Sequence, residues 1–477
     1  MRRRAGIRVA VAVAGLASLS VFKAPASAEM PAAGAAQPIV AGGEQAPPLA
    51  ETGRRALGGA PVEVPSTLVD GGSSSEPGEA GSEGTLARVE RRVALMGTHL
   101  DLAVEASDRA AALAASEVAV TAVEAAEARL STWTTDSELA RLNAAPPDTP
   151  VELSPELAAE LAAALTCAEL TAGAFDPTLG ALAGAWGLRQ GGREPGAEEL
   201  SAARAASGAA LLELAEGRAV RRHPGVAVDE GGFGKGAGIA VALAALAADG
   251  RAERAVLDFG GQVALWERRP GGRPGVVVGV ADPQRRPLAA AVLSIDGGSV
   301  ATSGNGERGI VAGGVRRGHL LDPRAGEPAP DWGSLTVWVA AWAPVPGGAA
   351  LGPAGHALFA DCLSTGLYVL GPEKAIEWAS RRPGVEVLVL APDGRGGVVG
   401  LATAGLAGRV EPVGHRVRVD VETRGKTGNE TLRAATGLPE TKTRAAVATL
   451  VGSGPSALPN PSPVGSPAGA GSEEEYR

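Results

Sequence analysis

Apolar positions fall into one long central stretch with a regular rhythm, flanked by two stretches without one. Within the centre the period changes repeatedly. Residues 96–100 (Met-Gly-Thr-His-Leu) predict a strand, and the Ala-rich, breaker-poor run over 106–130 predicts a long helix. Ser154, Pro155 and Glu156 read as a helix start, with serine as cap and proline at the first helical position. Residues 226–228 predict a short strand running into a glycine-rich turn, then a helix over 239–248. Short apolar runs over 255–258, 276–280, 290–295 and 335–339 predict strands. Residues 358–370 predict a helix stopped at Gly371-Pro372, and 385–390 with 397–401 a closing strand pair. This mixture lacks the regular alternation of a parallel βαβ chain, so the predicted fold class is α+β: one large domain over residues 89–410.

The flanks carry different signals. Arg2, Arg3 and Arg4 precede an apolar run over 9–22 and then Ala26-Ser27-Ala28 before Glu29, the order of a secretory signal peptide over residues 1–28 cleaved near Ala28. At 14 residues it falls short of a bilayer span, which needs about 20. No cysteine follows the run, so a lipid anchor is not expected. The expectation is an exported protein, periplasmic or otherwise extracytoplasmic, with no stable membrane span; the arginines leave Sec and Tat routes open. Residues 29–88, rich in Ala, Gly, Pro and Ser, read as a flexible linker. Residues 411–477 lose the apolar rhythm and end in Glu473-Glu474-Glu475, predicting a low-complexity, disordered tail.

Composition narrows the partners. Of 477 residues 45% are hydrophobic but only 3% aromatic, so a sizeable core must be built from Ala, Val and Leu. A net charge of -9 argues against nucleic acid, whose phosphates require a basic face. Cys167 and Cys362 each sit in an apolar, helix-like run and read as buried thiols, with a disulfide left open. The five histidines (His99, His223, His319, His356 and His415) show no zinc-like spacing.

The strongest local signal is Val228-Asp229-Glu230-Gly231-Gly232-Phe233-Gly234-Lys235-Gly236. Glycines let a backbone approach a bulky anion, and a following helix start offers N–H donors for phosphate. Lys235 is one of only five lysines in an arginine-rich chain, which points to a need for a compact ammonium. A P-loop fails here, because Asp229 and Gly236 stand where Gly and Ser or Thr are required. Gly232-x-Gly234-x-x-Ala237 does fit a dinucleotide fingerprint, with Glu253 and Asp258 near the expected distance, so a Rossmann oxidoreductase stays open. So does a plain glycine-rich turn with a solvated lysine.

Eight landmarks in order resemble the FAD:protein FMN transferase family, also called the ApbE family, from about Val93 to Leu406. They are Met96-Gly97-Thr98; Leu130-Ser131-Thr132-Trp133 with Asp136-Ser137-Glu138-Leu139; Gly173-Ala174-Phe175-Asp176-Pro177-Thr178; and Asp229 to Gly236. Then follow Leu257-Asp258-Phe259-Gly260-Gly261, Ala301-Thr302-Ser303-Gly304, His319-Leu320-Leu321-Asp322-Pro323 and Asp361-Cys362-Leu363-Ser364-Thr365. The resemblance implies a single ApbE-like domain related to the T-fold. It implies FAD contacts at Met96, Trp133, Ala174, Phe175, Asp176, Asp229, Lys235 and Leu321, with Met96 and Trp133 against the isoalloxazine ring. Unaided, Met96 and Trp133 read as core residues and Asp176 as a turn residue before Pro177.

The resemblance also implies a Mg²⁺ site from Asp361, Thr365 and the carbonyl of Gly232. Asp361 and Thr365 are spaced i, i+4, so both oxygens share one helix face, and such oxygen donors suit a hard cation. His319 is implied as the base and Lys235 as a charge stabiliser in catalysis. The implied reaction moves FMN from FAD to a threonine or serine hydroxyl of an acceptor protein, a redox subunit in the family's usual case, and releases AMP. Hydrolysis of FAD to FMN and AMP would use the same residues, and a non-catalytic flavin-binding protein is a further alternative. Glu230 departs from the family, where an apolar residue is usual; so do Asn305-Gly306 and the insertion over 343–355.

Overall fold

The computed structural model describes residues 86–422, apart from 272, 274, 307–308 and 347–354. The expected signal peptide, nearly all of the linker and the chain beyond Glu422 lie outside the described residues. The main sheet has nine strands that neighbour one another in chain order: Ala87–Leu95, Thr98–Ala106, Ala252–Phe259, Gln262–Glu267, Gly298–Gly304, Ser334–Val339, Val385–Pro392, Val398–Ala402 and Val417–Val421. Every neighbouring pair is antiparallel except the last. That topology excludes the Rossmann alternative, which needs parallel βαβ units. The fold class is α+β, as the pattern predicts.

Alternation sorts the sheet's two faces. Leu335, Val337, Val339, Val387 and Val389 face helices Pro155–Leu170 and His356–Leu370, meeting Leu161, Ala164, Leu358, Phe359 and Leu363. On the same side Leu100, Leu102 and Val104 pack on Ala115, Ala119 and Val123 of helix Arg109–Leu130 and on Ile239, Ala242 and Leu246 of helix Gly234–Asp249. The intervening residues Val300, Trp338, Leu388 and Leu390 face a three-stranded sheet of Val410–Pro412, Ala289–Ile295 and Val276–Ala281. Alanine on the packed helices lets them lie close, which is how a core with few aromatics fills its volume.

The structure corrects several boundaries. Met96 (φ 46°) and Gly97 (φ 69°) form the left-handed turn of a hairpin, so the strand expected from Met96 begins at Thr98. The long helix starts at Arg109 rather than 106; Asp108 caps it by accepting the Ala111 N–H at 2.9 Å. Of the strand expected over 226–228, only Ala227 makes a bridge, to Leu179. The domain begins at Ala87 and runs past 410 into Val417–Val421, an edge strand inside the stretch expected to be tail. Cys167 and Cys362 are joined in a disulfide, with Cα atoms 6.3 Å apart, and are not free thiols.

Candidate functional site

The glycine-rich segment is mostly helix. Glu230–Gly232 forms one 3-10 turn, capped by Asp229, whose carboxylate accepts the Gly231 N–H at 2.9 Å. The helix Gly234–Asp249 starts at once after Phe233, five residues earlier than the pattern predicts. Its glycines are explained by what lies against them. A Cβ on Gly236 would stand 2.5 Å from the Ala357 carbonyl oxygen and 2.8 Å from Asp361 Cβ. One on Gly232 would stand 2.9 Å from the Phe175 ring. The lysine helix therefore meets the helix His356–Leu370 backbone to backbone, which only glycine permits.

Asp361 sits at that joint and is 5% exposed. Its Oδ2 accepts the Gly236 N–H at 2.9 Å, and Lys235 Nζ lies 3.5 Å from its Oδ1. The carboxylate thus occupies the N-terminus of the lysine helix, where backbone N–H groups and the helix dipole favour negative charge. One turn on, Thr365 Oγ1 lies 3.3 Å from Ser303 Oγ, which also bonds Ser364 Oγ at 2.8 Å. Asp361 meets Lys235, Thr365 follows one turn later on the same helix, and Gly232 lies three residues before the lysine, so a carboxylate, a hydroxyl and a carbonyl oxygen are the donors these segments offer. Such a donor set fits a hard divalent cation.

Around this joint the other candidates fall into two groups. Met96 approaches the lysine helix, its Cε 3.5 Å from where a Cβ on Gly238 would stand, and its N–H donates to Glu127 Oε1 at 2.8 Å. Lys235 runs past Gly260 of the Leu257–Gly261 motif, its Cδ 3.4 Å from the Cβ position there. Phe175 lies between Gly232 and Gly366, tying the loop over 173–178 to both helices. The Asp176 carboxylate is engaged on both oxygens: Oδ1 accepts from Thr178 N and Oγ1 in its own loop, and Oδ2 from the N–H of Ala209, 33 residues on. The Oδ1 bonds are the turn role, and the Oδ2 bond ties the loop to the 3-10 turn Ala209–Leu211. Ala174, Phe175 and Leu321 are also buried side chains.

The backbone just after His319 is held by Asn305. This residue follows the strand carrying Ser303; its Oδ1 accepts the Leu320 N–H at 3.2 Å and its Nδ2 donates to the Ala329 carbonyl at 2.9 Å. The peptide after His319 is thereby fastened two residues along the chain from the hydroxyl that meets Thr365.

A second group gathers around Trp133, just before the lysine helix. Trp133 is 73% exposed, so its reading as a core residue is corrected. Over its ring, 4.5 Å from the centroid, lies the guanidinium of Arg189. Arg189 Nη2 also donates to Asp229 Oδ2 at 2.9 Å and to Thr132 Oγ1, and Nη1 to the Thr132 carbonyl at 3.1 Å. Glu230 Oε2 accepts from Thr132 Oγ1 at 2.6 Å. Burial, and then the neighbouring Asp229 charge, hold the Glu230 carboxyl above the ordinary carboxylate range. Sequence reasoning missed Arg189, Ser303 and Ser364 as individual site residues.

Residues 96–389 match the family described as the ApbE family. The chain belongs to the ApbE family. Two similar relatives are named FAD:protein FMN transferase. That of Klebsiella pneumoniae (strain 342) is 30% identical over 308 residues, 63% of this chain and 83% of its own length. That of Treponema pallidum (strain Nichols) is 30% identical over 353 residues, 70% of this chain and 91% of its own. The flavinyl transferase ApbE of Pseudomonas stutzeri, in its apo form, superposes with a TM-score of 0.56 at 26% identity, covering 69% of this chain and 98% of that one. The ApbE protein of Thermotoga maritima does so at 0.56 and 28%, covering 65% and 96%. The ApbE match takes in every candidate site residue named above.

Proposed function

We propose that this ApbE-family enzyme is a magnesium-dependent FAD:protein FMN transferase, which moves FMN from FAD to a threonine or serine hydroxyl of an acceptor protein and releases AMP. The observation that carries the reading is the joint of the two helices, where Lys235, the Gly236 N–H and buried Asp361 converge, with Thr365 one turn further along the helix of Asp361. Asp361, Thr365 and the Gly232 carbonyl would hold Mg²⁺, which when bound supplies a Lewis acid for the pyrophosphate oxygens. Lys235 stabilises negative charge on the same oxygens as a point charge. Met96 and Trp133 take the isoalloxazine ring by packing a thioether and an indole on a large flat system. Ala174, Phe175, Asp176, Asp229 and Leu321 complete the FAD contacts.

The His319 imidazole accepts the proton of the incoming hydroxyl. The hydroxyl oxygen then bonds to the FMN-side phosphorus, the bridging P–O bond breaks, and its electron pair leaves with AMP. The acceptor is proposed to be a redox subunit. Export is part of the proposal: the signal-like residues 1–28 support it, and the Cys167–Cys362 disulfide suits an oxidising compartment. No helix among the described residues is long and apolar enough to cross a membrane. Incubating the mature chain with FAD, Mg²⁺ and a candidate acceptor should yield covalent flavin and AMP together. FMN appearing free, with none on the acceptor, would instead mark a hydrolase.

A further inference from the structure

The mouth of the site carries a charge problem that the proposed ligands do not solve. Asp229 and Glu230 are adjacent in the chain and both lie against Arg189, and Asp361 sits at the start of the helix that follows them. Lys235 is paired with Asp361. An anionic dinucleotide entering here meets two adjacent carboxylates, one of them at a position where the family usually has an apolar residue. The one cation placed against that pair in the described structure is Arg189, 2.9 Å from Asp229 and 4.0 Å from Glu230.

Arg189 lies in the 3-10 turn Leu188–Gln190, bounded by Gly187 (φ 60°) and Gly191 (φ 88°). These left-handed glycines turn the chain sharply on both sides and aim the side chain back at residues 40 and 57 positions away. Its planar guanidinium does three things at once: it bonds a carboxylate, bonds both the hydroxyl and carbonyl of Thr132, and stacks on the indole of Trp133. Lysine could not reproduce that combination, because its ammonium is a point charge with no face to stack. Trp133 needs such support, since 73% of it is exposed. With Arg189 behind one face, the indole is held as a shelf whose other face is free for a flat ligand.

We infer that Arg189 is a positioning residue for FAD, fixing the Trp133 shelf and offsetting part of the charge of the Asp229–Glu230 pair so that the anionic substrate can enter. This rests on the proposed FAD site at Trp133 and Asp229. The test is FAD titration by calorimetry, with steady-state kinetics, on the mature chain with Mg²⁺. Arg189→Ala should raise Kd and KM for FAD about tenfold or more, the combined scale of a cation–π contact and a charge-assisted hydrogen bond. At saturating FAD its kcat should fall no more than about threefold, since Arg189 touches no reacting atom. Arg189→Gln, which keeps hydrogen bonding without charge, serves if the alanine variant does not fold. Its deficit should shrink as salt rises, because part of the effect is screened charge. Adding Glu230→Gln to either variant should recover part of the lost affinity. Unchanged Kd in both variants, or a loss of kcat at unchanged KM, would overturn the inference. Failure of the wild-type chain to bind FAD would instead overturn the proposed site itself.

Discussion

Asp361 offers the sharpest separation of folding from chemistry. In Asp361→Ala the Gly236 N–H, buried at the helix joint, loses its acceptor. An orphaned buried donor costs about 1–3 kcal/mol. Asp361→Asn keeps the shape and one acceptor oxygen for that N–H but removes the charge facing Lys235 and proposed to hold Mg²⁺. The alanine variant should therefore lose about 2 kcal/mol of stability, a few degrees in Tm for a domain of this size. The asparagine variant should lose less than about 1 kcal/mol. Both should lose Mg²⁺-dependent AMP release from FAD. Thermal unfolding with FAD and rising Mg²⁺ gives the second readout. A bound cation at about a hundred times its Kd stabilises the wild type by about 2.7 kcal/mol, and Asp361→Asn should show no such gain. An asparagine variant that releases AMP at the wild-type rate and is stabilised equally by Mg²⁺ would refute the metal assignment.

Three further outcomes follow from the packing and the charges. Gly236→Ala places a methyl against backbone on the facing helix and should cost about 1–3 kcal/mol by over-packing while abolishing turnover, checked by thermal unfolding and AMP release. The disulfide closes a loop across a sequence separation of 195, for which chain entropy sets a ceiling of about 5 kcal/mol; reductant, or Cys167→Ala with Cys362→Ala, should lower Tm clearly, and an unchanged Tm would deny the bond a stabilising role. Glu230 carries a carboxyl held high, so its contribution to stability is present below the ordinary carboxylate range and lost as pH rises through the raised value. Glu230→Gln should accordingly gain stability relative to wild type across that rise and gain none further at neutral pH, as paired melting curves against pH will show.

The parts of the site that were legible in the chain are those built from local spacing. Asp361 and Thr365 at i, i+4 already share a helix face, and the serine cap at Ser154 is observed, accepting the Leu157 N–H at 3.2 Å. The glycine turn was visible but its conformation was not. Glycine opposes helix in isolation; the approach of residues 357–361 explains Gly236 in this helix, and the Phe259 ring with Met96 lies against Gly238. Arg189 lies in a stretch with no periodicity, and its meaning comes from partners 40 and 57 positions away. Trp133 misled because large aromatics are usually inside. The disulfide was obscured because each cysteine sits in an apolar run that satisfies a buried thiol equally well, although the signal-like N-terminus favours an oxidising compartment. The strand Val417–Val421 pairs only at the sheet edge, where three alternating valines in a polar stretch give too short a rhythm to stand out.

Transfer itself is tested most directly by following both products of one reaction. The mature chain, FAD and Mg²⁺ are mixed with an acceptor protein bearing a candidate threonine or serine, and AMP release and protein-bound flavin are measured together. The account predicts one AMP per covalently flavinylated acceptor, with both products lost on chelation of the metal and in His319→Ala. AMP formed without protein-bound flavin for every acceptor tried, or covalent flavin formed equally well after chelation, would contradict it.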